Sequence, residues 1–245
     1  NNGDIIITGM LSSPPVSVRA DYVNQLIIKK LDANKGKVIW ENSFEGTGTY
    51  SLSSGYDVSV NQLNDIYVYG MINDTAALFK YSASGKPAWY KKENFIAVSE
   101  TNRALAVDEK NNAYILGYKS KYADHYNQWM ISKYTTHGKK DWSFIFDTAA
   151  ADIKLPAAII YTNGNIYATG TSEIISADRY TTIQLNKEGK LKDIHFYGKN
   201  NDQSSAVCLA ADAAGIVYVG ENAGGRICIV KLGYNVYHDI IALLY

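Results

Sequence analysis

The chain has 245 residues, 24 basic and 24 acidic side chains, and no formal net charge. The length suits one closed all-β array as a single domain, and 47% hydrophobic residues are enough for a sizeable core. The charge balance gives no basic surplus for a phosphate backbone, and no apolar run reaches the eighteen residues of a membrane helix.

In chain order, five copies of one pattern recur: NNGDIIITG (1–9), LNDIYVYG (63–70), KNNAYILG (110–117), NGNIYATG (163–170) and AAGIVYVG (213–220). Each is a polar turn, an alternating β-branched or aromatic run, and a glycine. The glycines Gly9, Gly70, Gly117, Gly170 and Gly220 are 61, 47, 53 and 50 residues apart. Strand-like units at a period near fifty predict a repeat architecture of the propeller kind.

The second repeat defines the unit. Its first strand is GYDVSV (55–60), its second IYVYG (66–70), its third ALFKY (77–81) and its fourth PAWYKK (87–92). The third repeat matches with RALAVD, AYILG, WMISKY and DWSFIF, and the fourth with PAAIIY, NIYATG, TTIQL and KDIHFY. Period-two alternation between Gly and Asn turns is the signal of such strands.

Three repeats carry Gly-Lys-x-x-Trp at the turn into the fourth strand: Gly36/Trp40, Gly85/Trp89 and Gly138/Trp142. The fourth keeps Gly189 and Lys190 but has Asp193 in place of Trp. The glycine suits positive φ, and the indole offers a large face for packing between sheets. Lys30, Lys80, Lys133 and Lys231, with Gln184 in the fourth repeat, recur on the third strand. Their spacing is compatible with a solvated strand face.

These units resemble the bacterial SBBP-type, PQQ-like β-propeller repeats, over nearly the whole chain. The resemblance implies an all-β, five-bladed β-propeller of four-stranded antiparallel blades, secreted, periplasmic or associated with the cell surface of a bacterium. It carries over no catalytic residue, because the positions shared by the family are structural. The expected single domain, 1–245, divides into blades at approximately 1–46, 55–93, 102–147, 156–198 and 205–245.

The first and last blades are incomplete or jointly closed. The first repeat supplies only three strands. The tail GYNVYHDIIALLY (233–245) is either the fourth strand of the last blade or the missing first strand of the first. The latter pairing would remove exposed edges. However, residues 233–238 reach at most about 20 Å and leave little for a loop, which favours the fourth-strand reading. The sequence starts inside a repeat, so Asn1 is not expected to be a natural start, and a secretory signal is compatible with an upstream position.

Cys208 and Cys228 fall on strands separated by one other, roughly 9–10 Å apart at Cα, beyond disulfide reach. Both are expected as buried free thiols.

Turns between first and second strands, and between third and fourth, are short. The other connections include longer stretches: 10–24, 119–128 and 171–180 between second and third strands, and 44–54, 93–102, 147–155 and 198–204 between repeats. In an up-and-down blade these longer connections share one face, where binding is expected. Three end in a related phrase, Asp21-Tyr22, Asp124-His125-Tyr126 and Asp178-Arg179-Tyr180. A ring of carboxylates and tyrosines facing a glycan is one reading. Asp capping the loop while Tyr opens the third strand is the other, and the family resemblance includes a similar Asp-Tyr entry.

Catalytic motifs are thin. His125, His137, His195 and His238 show no metal-ligand spacing, and no nucleophile elbow or phosphate loop is present. No cofactor is expected. The DANKGK and DEKNNA turns are compatible with calcium, but such turns form without metal. The chain lacks the adjacent cysteine pair of quinone-cofactor propellers. The expected function is a noncatalytic binding or scaffold propeller that presents its long-loop face to a protein or glycan. The alternative is a glycoside hydrolase or lyase with carboxylates at the channel mouth, drawn from Asp57, Asp147, Asp152 and Asp202.

Overall fold

The computed structural model describes residues 3–13, 23–46, 52–98, 103–120, 127–147, 152–174, 177–197, 204–223, 226–232 and 240–244. Among these residues every regular element is a strand, and the strands form five antiparallel sheets. Sheet 1 contains β1 (Ile5–Ser13), β2 (Val23–Leu31) and β3 (Val38–Glu45). Sheet 2 contains β4 (Ser53–Val60), β5 (Ile66–Ile72), β6 (Thr75–Tyr81) and β7 (Pro87–Lys92).

Sheet 3 contains β8 (Ile96–Ala97), β9 (Leu105–Val107), β10 (Ala113–Ser120), β11 (Asn127–Tyr134) and β12 (Lys140–Phe146). β8 and β9 both pair with β10 and together take the place of a first strand. Sheet 4 contains β13 (Asp152–Thr162), β14 (Asn165–Ile174), β15 (Ala177–Asn186) and β16 (Leu191–Tyr197). Sheet 5 contains β17 (Ser204–Ala211), β18 (Val217–Ala223), β19 (Arg226–Leu232) and β20 (Ile240–Leu244).

Residues 240–244 of the tail therefore form the fourth strand of sheet 5: β20 pairs antiparallel with β19, Leu243 opposite Cys228. Sheet 1 keeps three strands. First strands of consecutive sheets pack together, and the Ile159 amide donates to the Arg103 carbonyl between two of them. Fourth strands face solvent at every second residue, as in β3 and β7.

The fifth repeat departs from the alignment made on its glycine. In sheet 2 the Asn61 amide donates to the Asp65 carbonyl and the Asn64 amide to the Asn61 carbonyl. In sheet 5 Asp212 pairs in the same way with Ile216, and Gly215 with Asp212. Ile216 thus takes the place of Asp65, and Gly220 the place of Tyr69, not of Gly70. Side-chain caps fix this register, because Asn61 Oδ1 accepts the Leu63 and Asp65 amides while Asp212 Oδ1 accepts those of Ala214 and Ile216.

The apolar residues of the repeats fill the space between sheets. Leu26 and Ile28 of sheet 1 meet Ile66, Val68 and Phe79 of sheet 2. The other face of sheet 2, with Tyr67, Tyr69 and Leu78, packs on Ile115 and Leu116 of sheet 3, and this core continues into Ile166 and Ile183 of sheet 4. Tyr167 and Tyr180 of sheet 4 meet Val217, Val219 and Val230 of sheet 5.

Each tryptophan of the Gly-Lys-x-x-Trp phrase lies over the turn glycine of the next sheet. A Cβ on Gly85 would come 2.6 Å from Trp40, on Gly138 2.8 Å from Trp89, and on Gly189 2.7 Å from Trp142. These three glycines have φ of 83°, 78° and 80°, so the position needs glycine for its backbone and for its neighbour. The indole N–H groups donate to Ala83, Thr136 and Lys187 carbonyls at 3.4, 3.1 and 3.1 Å.

Two of the recurring lysines, Lys80 and Lys133, join sheets, contrary to a solvated face, whereas Lys231 is exposed as expected. Lys80 is buried, pairs with Asp65 at 2.8 Å and donates to the Thr136 carbonyl and hydroxyl in the next sheet. Lys133 pairs with Asp141 and reaches the Lys187 carbonyl. Close packing of successive sheets withdraws the ammonium from water, and fixed acceptors replace it.

The second-strand glycines have a different cause. A Cβ on Gly70 would lie 2.1 Å from the Ser54 carbonyl, on Gly117 2.6 Å from that of Ile96, and on Gly170 2.5 Å from that of Leu155. In each case the inner strand of the same sheet crosses too closely for a side chain. Around Gly9 a Cβ would meet nothing within 4 Å. We therefore expect Gly117→Ala to lower unfolding free energy by about 2–4 kcal/mol and Gly9→Ala to change it by less than about 0.5 kcal/mol, measured by urea titration.

Candidate functional site

The short turns lie together at one end. There the Tyr67 hydroxyl donates to the Asn111 carbonyl at 2.8 Å, and Lys80 and Trp89 both reach Thr136. These contacts weave first–second and third–fourth turns of neighbouring sheets into one surface. The remaining connections leave from the opposite ends of the strands.

Several of those connections are shorter than their sequence suggests. The stretch 171–180 is mostly ladder: Thr171 pairs with Tyr180, Ser172 with Arg179, Glu173 with Asp178, and Ile174 with Ala177. Ser172 and Thr181 hydroxyls hydrogen-bond one another and extend the pairing beyond the apolar core. Between sheets 2 and 3, β8 occupies part of 93–102. In sheet 2 the second–third connection is the two-residue turn Asn73-Asp74, both at positive φ.

Of the candidate binding residues, Asp21, Tyr22, Asp124, His125 and Tyr126 lie outside the described residues. Asp178 lies on β15, inside the strand rather than in a loop. Arg179 and Tyr180 are both buried, and the Tyr180 ring stacks on Tyr197 with centroids 4.8 Å apart. The third copy thus builds Tyr180 into the sheet 4–sheet 5 boundary. Tyr197 has its phenol pushed up to about 12, first by burial and then by the charge of Asp193.

The most perturbed carboxyl on the first strands is Asp57. It stands at the bulge where the β4–β5 register shifts between Gly55 and Asp57. The same bulge recurs at Ala157 in sheet 4 and Val207 in sheet 5. Asp57 Oδ1 accepts the Val58 amide at 2.8 Å and Oδ2 the Leu105 amide of sheet 3 at 3.1 Å. Burial raises its pKa, and the two amides and Arg103 partly offset that rise. Nearby, the Tyr69 hydroxyl accepts the Val98 amide and donates to the Leu116 carbonyl, and burial holds it well above the usual phenol range.

Asp147 and Asp152 are exposed; Asp147 accepts from Gln128 Nε2 at 2.9 Å. Asp202 lies outside the described residues. A carboxylate the sequence did not single out is Glu93, which is buried and takes the Tyr134 hydroxyl and the Lys140 ammonium, each at 2.6 Å. Nothing in KKENF marks it, because its partners come from sheet 3.

Among the described residues no group of three His, Cys, Asp or Glu side chains converges as a metal site. Asp32 Oδ1 in DANKGK accepts the Asn34 and Lys35 amides. Asp108 in DEKNNA accepts the Lys110 and Asn112 amides and the Tyr114 hydroxyl. These carboxylates serve their own turns. His137 is exposed in a short turn, and His195 lies beside Asp193 at 3.2 Å and stacks on Tyr197. His238 lies outside the described residues. Cys228 is a buried thiol as expected, but Cys208 is exposed, which corrects the expectation that both are buried. Cys208 lies opposite Gly220 at the bulge of sheet 5.

No protein-family profile matches the chain, and no curated protein matches it in sequence. Its structure is similar to solved ones. A protein of unknown function from Bacteroides caccae is 13% identical, with a TM-score of 0.53, over 97% of this chain and 72% of that one. A streptogramin B lyase is 14% identical, with a TM-score of 0.51, over 98% of this chain and 74% of that one. Drosophila semaphorin 1a, extracellular domains 1–2, is 7% identical, with a TM-score of 0.55, over 92% of this chain and 53% of that one. The fold is β-propeller-like. Among the described residues no helix is long and apolar enough to cross a membrane.

A folded-state pKa raised above the unfolded value near 4 means that Asp57 contributes stability at low pH and loses it as pH rises through that folded pKa. Urea unfolding of Asp57→Asn and wild type between pH 4 and 7 is expected to show their difference moving in the variant's favour as pH rises. A thiol reagent is expected to label Cys208 in the native protein and Cys228 only on unfolding.

Proposed function

We propose that the chain is a five-bladed β-propeller of the SBBP-type, PQQ-like repeat pattern and works as a noncatalytic binding or scaffold module. It is placed outside the bacterial cytoplasm, as a secreted, periplasmic or surface protein. Its partner is a protein or glycan held on the face formed by the longer connections.

The observation that carries this reading is how the recurring side chains are used. Trp40, Trp89, Trp142, Tyr67, Lys80 and Lys133 are engaged between sheets at the short-turn end. The repeat therefore supplies a rigid frame, and its variable connections carry recognition. Of the Asp-Tyr phrases, Asp21-Tyr22 and Asp124-His125-Tyr126 are the candidates to contact the partner, since Tyr180 is committed to packing.

A second reading, a glycoside hydrolase or lyase, draws on Asp57, whose burial-raised pKa suits a proton donor. It requires a second carboxylate about 5–9.5 Å away across a sugar.

The deciding experiment is a glycan array with a parallel protein pulldown, followed by binding titrations. Tyr22→Ala combined with Tyr126→Ala is expected to weaken binding about tenfold or more, as loss of aromatic anchors does, while Tyr180→Phe leaves it unchanged. Binding that survives the double variant would overturn this site. Turnover of a glycan that disappears in Asp57→Asn would establish the enzyme reading instead.

A further inference from the structure

We propose that the short-turn end docks on an anionic lipid bilayer, held by lysines of the third–fourth turns and by apolar side chains exposed among them. This surface lies opposite the longer connections and does not rest on the binding role given to them.

The lysines come from the repeat itself. The turn glycines Gly36, Gly85, Gly138 and Gly189 are each followed by a lysine: Lys37, Lys86, Lys139 and Lys190. All four lysines are exposed, as are Lys35, Lys187 and Lys192 beside them. Among the described residues none of these side chains is in an ion pair. The clamp explains their placement. The carbonyls of Ala83, Thr136 and Lys187 in three of these turns take the indole N–H groups of the preceding sheet. Neighbouring turns are thereby held side by side, and their lysines are left to solvent. Like charges held in one row repel, so the fold gains nothing from them.

The carboxylates at this end do not cancel the row. Asp4, Asp65 and Asp141 pair with Lys30, Lys80 and Lys133. Asp32, Asp108 and Asp212 accept amides of their own turns, and Asp193 lies against His195. Glu109 and Glu188 remain as exposed acids and are outnumbered by the lysines. The chain as a whole has no net charge, but attraction to a surface is local. The Debye length is about 10 Å at 0.1 M salt, whereas the ten-residue β14 spans about 33 Å from end to end. Charges at the opposite end are screened from a surface touching this one.

The apolar side chains decide the kind of partner. Lys37, Lys86 and Lys190 are each followed by an apolar residue, Val38, Pro87 and Leu191. Val38 is 52% and Leu191 42% exposed. In the first–second turn of sheet 2, Leu63 is 67% exposed, more than any other large hydrophobic side chain among the described residues. A soluble acidic polymer offers these side chains nothing. The headgroup–acyl boundary of a bilayer takes both kinds, ammonium groups at the phosphates and apolar tips below them. Lysine stems add to the apolar layer while their charges stay at headgroup level. Short turns joined to one another make this end suited to a flat surface.

The test is co-sedimentation of the full 245-residue chain with vesicles of equimolar phosphatidylglycerol and phosphatidylcholine, and with vesicles of phosphatidylcholine alone. Binding is expected to the first and not to the second. It is expected to fall about tenfold or more when salt is raised from about 0.1 to 1 M, as screening requires. Lys37→Glu, Lys86→Glu, Lys139→Glu and Lys190→Glu together are expected to weaken binding about a hundredfold or more. Urea titration of that variant separates lost binding from lost folding, and Gln at the same four positions repeats the test with a milder change. Leu63→Ser with Leu191→Ser is expected to weaken vesicle binding about tenfold, while binding to heparin, a soluble polyanion, is unchanged.

Three results would overturn the proposal. The first is no binding to phosphatidylglycerol vesicles at low salt. The second is vesicle binding that survives the four lysine substitutions in a folded variant. The third is vesicle binding that is unchanged in the Leu63→Ser, Leu191→Ser variant and matched by heparin, which means that the partner is a soluble polyanion. Tyr22→Ala with Tyr126→Ala is expected to leave vesicle binding intact, so failure of the long-loop reading and failure of this one are separable.

Discussion

The contact on which the rest depends is the indole of one sheet lying over the turn glycine of the next. A four-stranded antiparallel sheet is apolar on both faces here and cannot stand alone in water. Trp40, Trp89 and Trp142 cover that requirement at three consecutive boundaries, each against a glycine at positive φ in the following turn. The indole N–H is satisfied by a carbonyl of the same turn, so a large aromatic side chain is used with its polar atom paired. Lysines add charged hydrogen bonds at the same boundaries, most completely at Lys80.

The clamp explains the division between the two ends of the molecule. At the short-turn end, tight turns, tryptophans, lysines and tyrosine hydroxyls form one connected surface. The longer connections leave from the other end, free of that constraint. Asp57 shows how the inner strands join the same scheme, since its carboxylate bonds an amide of the next sheet from a place that Ala158 and Cys208 hold in sheets 4 and 5. Buried Glu93, bonded to Tyr134 and Lys140, is another such join.

Much of this frame was legible in the sequence because it repeats. The five patterned strands, the turn glycines and the tryptophans recur at spacings that only a stacked β-array explains. In the fifth copy the glycine is not the anchor of the repeat. The hydrogen-bonded turn at Asp212 sets the register instead, and it moves Gly220 one place from the position of Gly70. The Asp178-Arg179-Tyr180 phrase was legible as a motif but not as part of the ladder, because its polar residues conceal pairing carried by the backbone.

The sequence by itself determined the all-β class, the repeat unit, and the need for glycine and tryptophan at the turn into the fourth strand. These follow from local rules of alternation and positive φ, which act within a few residues. Tertiary structure alone decided that Lys80 and Lys133 join sheets, that Tyr180 is buried, that Cys208 is exposed, and that residues 240–244 complete sheet 5. Each of these depends on which sheet lies against which, a relation between residues tens of positions apart that no local pattern encodes.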